Sequence, residues 1–313
     1  MNLKNIQDPN INNICAIVIT YHPDKELFGR IERIASQVNK VIIVDNGSFK
    51  VSIEMLKKIS SKLGAHLILN ENNLGVATAL NIGFKEAKNS HEDFEWCLTM
   101  DQDSIVETNM IQNLITAYKD CPFREKVGII GSNYEEYHTG RILFNNEGVF
   151  NSWAEVENLP TSGCLNSLNI FQIVGKFRDN FFVDYVDTEY CFRIRDHGFR
   201  VIISPLINMR HPLGNYKFSN LYKFLFGKDM ITNYPPTRHY YWTRNGLKLV
   251  RERFWKNTAW ALKELYYLTF RRVLIVLLFE DLKLQKLRSI LLGIFHSIIN
   301  KEKTLIPNSN SIN

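Results

Sequence analysis

Trp96-Cys97-Leu98-Thr99-Met100-Asp101-Gln102-Asp103 is an apolar run that stops at two carboxylates one residue apart. Alternate side chains of a strand share a face, so Asp101 and Asp103 converge where a buried strand ends. Open α/β sheets bind their ligands there, beyond the carboxyl ends of the strands. Two hard oxygen donors suit Mg²⁺ or Mn²⁺, which stays partly hydrated and borrows its remaining ligands from a substrate diphosphate. The same pattern also fits a solvated strand-to-loop turn, and the surrounding sequence has to decide.

Upstream of it, strand-like and helix-like segments alternate. Ile14 to Thr20 is a continuous β-rich run, as expected of a strand buried on both faces. Residues 25–38 place Leu27, Phe28, Ile31, Ile34, Ala35 and Val38 at helical spacing. Val41 to Val44 is a second strand, broken by the turn signal Asp45-Asn46-Gly47-Ser48. An amphipathic helix over 51–63, a strand His66–Leu69 and a helix to about Lys88 follow. With the strand at 96–100 this βαβ series predicts an α/β fold, a mostly parallel sheet with right-handed crossovers. Downstream, 105–119 reads as helix and Val127–Gly131 as strand. The stretch 132–170 carries little periodicity. Residues 181–189 lead into a helix ended by Gly198, and Val201–Ile203 is a last short strand.

The character changes after residue 215. Residues 1–215 carry 21 Lys/Arg against 26 Asp/Glu, net −5, whereas 216–313 carry 17 against 6, net +11. The expected domains are therefore 1–215, catalytic, and 216–313, a basic helical region with long helical patterns from about 239 to 300. The polar end from Pro307 to Asn313 reads as disordered. A basic, aromatic-rich amphipathic region suits an anionic membrane surface; its other reading is an appendage that packs on the catalytic domain or on another copy. Its longest clean apolar run, Val273–Phe279, is far short of the roughly 20 residues a spanning helix needs. No nucleic-acid motif accompanies the charge, so a nucleic-acid partner is not expected.

Five cysteines, with no C-x-x-C pair, argue against a disulfide framework or zinc site and suit a reducing compartment. The first ten residues are polar and no secretory signal is visible, so a cytoplasmic location is expected. The chain lacks G-x-G-x-x-G after its first strand, the P-loop and G-x-S-x-G, which excludes the usual dinucleotide, NTPase and hydrolase readings.

Several blocks together carry a resemblance. Ile17-Val18-Ile19-Thr20-Tyr21, Val44-Asp45-Asn46-Gly47-Ser48, Asn73-Leu74-Gly75 with Asn81, and Leu98 to Ser104 stand in the order of the inverting family 2 glycosyltransferases. Phe182 to Cys191 and Arg238-His239-Tyr240-Tyr241 with Arg244-Asn245 look like the bacterial rhamnosyltransferases of surface-polysaccharide assembly, including O-antigen. The resemblance covers roughly 14–250 and implies the nucleotide-diphospho-sugar transferase fold (GT-A). It further implies a dTDP-β-L-rhamnose donor and a saccharide acceptor, the latter linked to polyprenyl diphosphate. The enzyme would then sit peripherally on the inner face of the cell membrane.

Residue by residue, the resemblance places Thr20, Asp45, Asn73, Gly75 and Asp101 at the nucleotide, and Asp101, Asp103 and His211 at a divalent cation. Asp187 stands at the position of the base, with Asp184 and Glu189 as neighbours, and Thr161-Ser162-Gly163 resembles the acceptor-side loop. Arg238 and Arg244 are candidates for the acceptor's diphosphate. Each position has a plainer reading: Asp45 as a turn residue, Asn73 as a helix cap, Gly75 as close helix packing, His211 as structural and Asp187 as a helix cap. A UDP-hexose or UDP-galactofuranose donor keeps the same fold; a non-catalytic sugar-nucleotide-binding scaffold is the rival from another class. Thr20-Tyr21-His22-Pro23, in place of a Gly-rich loop with Arg, argues against a sugar-nucleotide pyrophosphorylase.

Overall fold

The structure is a computed structural model that describes residues 7–145, 151–212, 214, 216–227 and 230–299. The segment Pro307–Asn313, expected to be disordered, lies outside them. The chain forms two compact units, one of residues 1–179 and 186–212, the other of 180–185 and 213–313. The short segment 180–185 therefore groups with the C-terminal helices, which a boundary at 215 does not anticipate.

The first unit is built on a mixed sheet. Its strands are β1 (Ile14–Thr20), β2 (Lys40–Asp45), β3 (His66–Leu69), β4 (Trp96–Asp101), β5 (Ile105–Val106), β6 (Val127–Glu136), β7 (Ala154–Glu155), β8 (Cys164–Ser167) and β9 (Arg200–His211). They lie in the order β3-β2-β1-β4-β8-β6-β9-β5, with β7 also paired to β9. β1 is parallel to β2 and β4, and β2 to β3. β8 runs antiparallel between β4 and β6, and β6 is again parallel to β9. Six strands thus point the same way, and their carboxyl ends share one edge.

The helices α1 (Leu27–Ala35), α2 (Lys50–Leu63), α3 (Val76–Asn89), α4 (Met110–Asp120), α5 (Leu168–Val174) and α6 (Val186–Asp196) connect these strands. α1 buries Leu27, Ile31 and Ile34 on one face, as its spacing requires. α3 approaches the sheet so closely that a Cβ on Gly83 would lie 2.4 Å from Ile17 Cγ2, which only glycine avoids.

Several elements differ from the sequence reading: Ile105–Val106 is the strand β5 rather than the start of a helix, β6 runs on to Glu136, and the stretch 132–170 also holds β7 and the start of α5. β9 runs through Pro205 to His211 rather than stopping at Ile203, with irregular register against β6 near Asn133; proline is tolerated at such a bulge. β8 is polar in sequence yet buried throughout, because Asn166 donates to Cys164 O at 2.9 Å and Thr99 Oγ1 at 3.3 Å.

The second unit contains an antiparallel pair, β10 (Tyr216–Phe218) and β11 (Met230–Thr232), with α7 (Asn220–Phe226) between them. Four helices follow: α8 (Pro236–Arg253), α9 (Thr258–Tyr266), α10 (Arg272–Phe279) and α11 (Lys283–Ile298), a π-turn at Tyr267–Arg271 joining α9 to α10. Among the described residues no helix is long and apolar enough to cross a membrane.

Candidate functional site

The site residues gather at the carboxyl ends of the parallel strands. Thr20 pairs in register with Asp45 across β1 and β2, and Ile19 with Asp101 across β1 and β4. After Asp103 the chain makes the two-residue β5, where Ile105 pairs with Arg210 and Val106 with Met209. That short return brings Asp103 and Ser104 beside His211, the last residue of β9.

Asp101, Asp103 and His211 offer ligand atoms within 4.8 Å of one another. Asp103 Oδ1 is buried with no hydrogen-bond partner, and His211 Nδ1 lies 3.5 Å from it, too far for a good hydrogen bond. A buried, unsatisfied carboxylate oxygen is costly, and a hard divalent cation is the partner that two carboxylates and an imidazole suit. The residues present therefore fit such an ion. Around them, Ser104 Oγ lies 2.9 Å from His211 Nδ1 and 2.8 Å from Ser162 Oγ, which accepts from the Asp101 N–H at 3.0 Å. Ser104 and Ser162 are both buried. They orient the histidine ring and tie the Thr161-Ser162-Gly163 loop to the end of β4, as outer-shell groups of metal sites do.

At the β1 and β2 ends, Asp45 is fully buried. Its Oδ1 accepts from Thr20 Oγ1 at 2.9 Å and Ser48 Oγ at 2.6 Å, and its Oδ2 from the Ser48 N–H at 2.8 Å. Asp45 and Thr20 hold the strand ends together, and the more accessible side chains here are Tyr21, His22 and Phe49, with His22 stacked on Phe49 at 4.1 Å. Gly47 permits the turn: its φ is +82°, and a Cβ would lie 2.7 Å from the Asn72 backbone. Asn46 Nδ2 donates to Gly75 O at 3.1 Å, and Asn73 Oδ1 accepts from the Gly75 N–H at 3.0 Å. Asn73 thus shapes the turn into α3, whose N-cap is Gly75 at φ +85°.

Three acidic residues were candidates for the base. Both oxygens of Glu189 are bound by arginines: Oε1 by Arg193 Nε and Arg178 Nε at 2.9 Å, Oε2 by Arg193 Nη2 at 2.8 Å. Asp184 pairs with Arg238 at 3.1 Å within the second unit. Asp187 is in the first turn of α6, where its Oδ1 accepts from the Thr188 N–H at 2.7 Å. It lines a cavity of about 20 Å³ together with Thr99, Thr161, Asn166 and Tyr190.

In the second unit Arg244 is buried, donates to Asn245 Oδ1 at 3.0 Å and to Asn180 O, and lies 5.1 Å from the centre of the Tyr241 ring. Asn245 Nδ2 donates to the carbonyls of Val183 and Asp184 at 2.9 and 3.1 Å. These residues brace 180–185, where Asp184 and Tyr185 hold φ of +63° and +61°. Arg244 and Arg238 thereby brace their own unit.

The sequence reading passed over three contributors. Ser104 and Gln102 lay inside the acidic block without a pattern of their own. Ser48 had a visible signal, a hydroxyl three residues after Asp45 in a turn.

A model of the family described as Glycosyl transferase family 2 matches residues 15–170. RfbF, a dTDP-rhamnosyl transferase of Shigella flexneri, is 29% identical over 251 residues, spanning 77% of this chain and 81% of the relative. Among solved structures, S. aureus TarS 1–349 superposes with a TM-score of 0.57 at 13% identity, over 91% of this chain and 80% of that one. GalNAc-T7, crystallised with UDP, GalNAc and Mn²⁺, gives a TM-score of 0.54 at 11% identity, over 66% of this chain but only 44% of its own. At such identities the structural likeness concerns the fold alone, the GT-A arrangement.

Proposed function

We propose that this chain, which belongs to glycosyl transferase family 2, moves L-rhamnose with inversion from dTDP-β-L-rhamnose to a saccharide acceptor. The observation that carries the site is the cluster of Asp101, Asp103 and His211 with the unsatisfied Asp103 Oδ1. The rhamnose assignment rests on the 29% identity to a dTDP-rhamnosyl transferase over most of both chains.

Asp101, Asp103 and His211 would hold Mg²⁺ or Mn²⁺, which neutralises charge on the departing diphosphate. The nucleoside would lie at the β1 and β2 ends. Thr20 and Asp45 fix those ends, and Asn73 and Gly75 shape the turn that follows. Asp187 takes the proton of the acceptor hydroxyl as that oxygen bonds to the anomeric carbon. The bond from that carbon to the diphosphate oxygen breaks, dTDP leaves with the electron pair, and the product is an α-L-rhamnoside.

The acceptor we infer is carried on polyprenyl diphosphate, and the second unit suits a lipid surface on the inner face of the cell membrane. α9, the π-turn, α10 and α11 expose Leu262, Tyr266, Phe270, Leu277, Leu291 and Phe295. Residues 216–313 also carry a net charge of +11. A second copy would bring the same positive charge, so anionic lipid is the better-matched partner.

The test is transfer of radiolabel from dTDP-β-L-rhamnose into a lipid extract of bacterial membranes, with Mn²⁺ and with chelator. Label should enter the organic phase, disappear with chelator and fall sharply with Asp187→Asn. Label entering only from UDP-hexose or UDP-galactofuranose would replace the donor.

A further inference from the structure

The middle residue of the acidic block, Gln102, makes a paired contact at this edge. The Tyr21 N–H donates to Gln102 Oε1 at 2.8 Å, and Gln102 Nε2 donates to Tyr21 O at 3.1 Å. One side-chain amide thus satisfies both polar groups of one residue's backbone, as a neighbouring strand would. The Gln102 carbonyl accepts from Arg30 Nη1 at 3.3 Å, and Arg30 is itself paired with Asp24 and Glu26, each at 2.9 Å. The chain between Asp101 and Asp103 is therefore pinned from both its side chain and its backbone.

Tyr21 follows Thr20 at the end of β1, where the proposed function puts the nucleoside. Asp101 and Asp103, on either side of Gln102, are where it puts the diphosphate and its cation. A ligand that must reach two places gains affinity when their separation is already set, because the second contact then forms at a high effective concentration.

We propose that Gln102 is a positioning residue that fixes the spacing between the Tyr21-His22 loop and the Asp101/Asp103 carboxylates to the length of a nucleoside diphosphate. This rests on the nucleoside-diphosphate reading of the donor. Gln102 touches neither the sugar nor the reacting atoms. It acts on ligands that bridge both ends and leaves each end's own chemistry alone.

The experiment is calorimetric titration of wild type, Gln102→Met and Gln102→Glu with thymidine, with Mn²⁺ alone, and with dTDP in the presence of Mn²⁺. Gln102→Met keeps the size and removes both bonds. Gln102→Glu keeps an acceptor for the Tyr21 N–H and sets a carboxylate against the Tyr21 carbonyl. For Gln102→Met the affinity for dTDP with Mn²⁺ should fall about 10- to 100-fold, the range of supporting-residue effects at metal sites. Affinities for thymidine and for Mn²⁺ alone should stay within a factor of about two, and Gln102→Glu should show the same split. If all three affinities fall together, Gln102 only supports the fold and the proposal is wrong. If the variants bind dTDP with Mn²⁺ as wild type does, the proposal is wrong while the donor reading stands. If wild type itself binds no nucleoside diphosphate, the donor reading fails and takes this inference with it.

Discussion

The two units differ in what they leave at the surface. The first presents Asp101 and Asp103 at strand ends, while Asp45 and Glu189 are buried with their partners and most apolar side chains lie in the sheet. The second buries a charged cluster: Glu280 accepts from Lys286 Nζ at 2.7 Å and lies 2.9 Å from His239 Nε2, all three buried, while Arg272 Nε meets His239 Nδ1 at 3.2 Å. It also leaves more of its large apolar groups at the surface. Among the described residues, eighteen large hydrophobic side chains are exposed in the second unit and eleven in the first, though the second is the smaller. One surface is suited to a charged small molecule, the other to an apolar medium bordered by charge.

The largest expected effects belong to the first unit. Asp187→Asn should lower kcat by about 10³-fold with the donor KM little changed, as loss of a general base does. Asp103→Ala should cost about as much and also abolish Mn²⁺ binding, measured by titration without substrate. Equal losses from Asp184→Asn would move the base to the other unit and undo the division of labour.

The buried charges of the second unit come next. Glu280→Ala leaves His239, Lys286 and Arg272 without their anion, and breaking such a group costs about 3–5 kcal/mol in an unfolding titration. The unit should also weaken in acid. Burial holds the His239 ring below its ordinary pKa. The unfolded chain therefore takes up a proton near pH 6.5 that the folded ring resists, and stability falls as pH drops below that value. Against the upward push of burial, the bonds of Glu280 to His239 and Lys286 hold its carboxyl below the usual range. Its stabilisation is complete above about pH 4.5 and is lost as pH falls through the folded value. A stability profile flat from pH 7 to pH 5 would contradict the first, and one flat from pH 5 to pH 2.5 the second.

Ser104→Ala should weaken Mn²⁺ binding about 10- to 100-fold by freeing the His211 ring. The smallest effects concern the lipid surface. Arg288 is exposed on α11; Arg288→Glu should weaken binding to anionic vesicles by about 1–2 kcal/mol, and Leu291→Asp should weaken it further, with turnover of a lipid-free acceptor unchanged. Binding equal on neutral and anionic vesicles would leave the charge of this unit without that role.

How much could be read in advance follows the same division. β1 was legible to the residue because a strand buried on both faces has to be a continuous apolar run, and the apolar run of β4 marked where the acidic block begins. The extent of β9, which carries His211, was hidden by Pro205, and β8 by the polar residues that bond inside the sheet. Asp45 could be placed at a strand end, but not its closure by Thr20 and Ser48, since hydrogen-bond partners distant in sequence leave no local pattern. In the second unit the basic count was plain, whereas the pairing of Glu280 with His239 and Lys286 joins residues up to 41 positions apart. The cysteines point the same way: all five are buried and burial raises their thiol pKa, that of Cys191 to about 12. They should resist alkylation in the native protein.

The most direct measurement is the thermal midpoint of the purified protein with dTDP, UDP, GDP and CMP, each with Mn²⁺ and with chelator. A ligand at about 100 times its dissociation constant adds roughly 2.7 kcal/mol and moves the midpoint by several degrees. The largest rise should come with dTDP and Mn²⁺ and should vanish in chelator and in Asp103→Ala. A larger rise with UDP would contradict the rhamnose donor, and no rise with any nucleotide would contradict the transferase site itself.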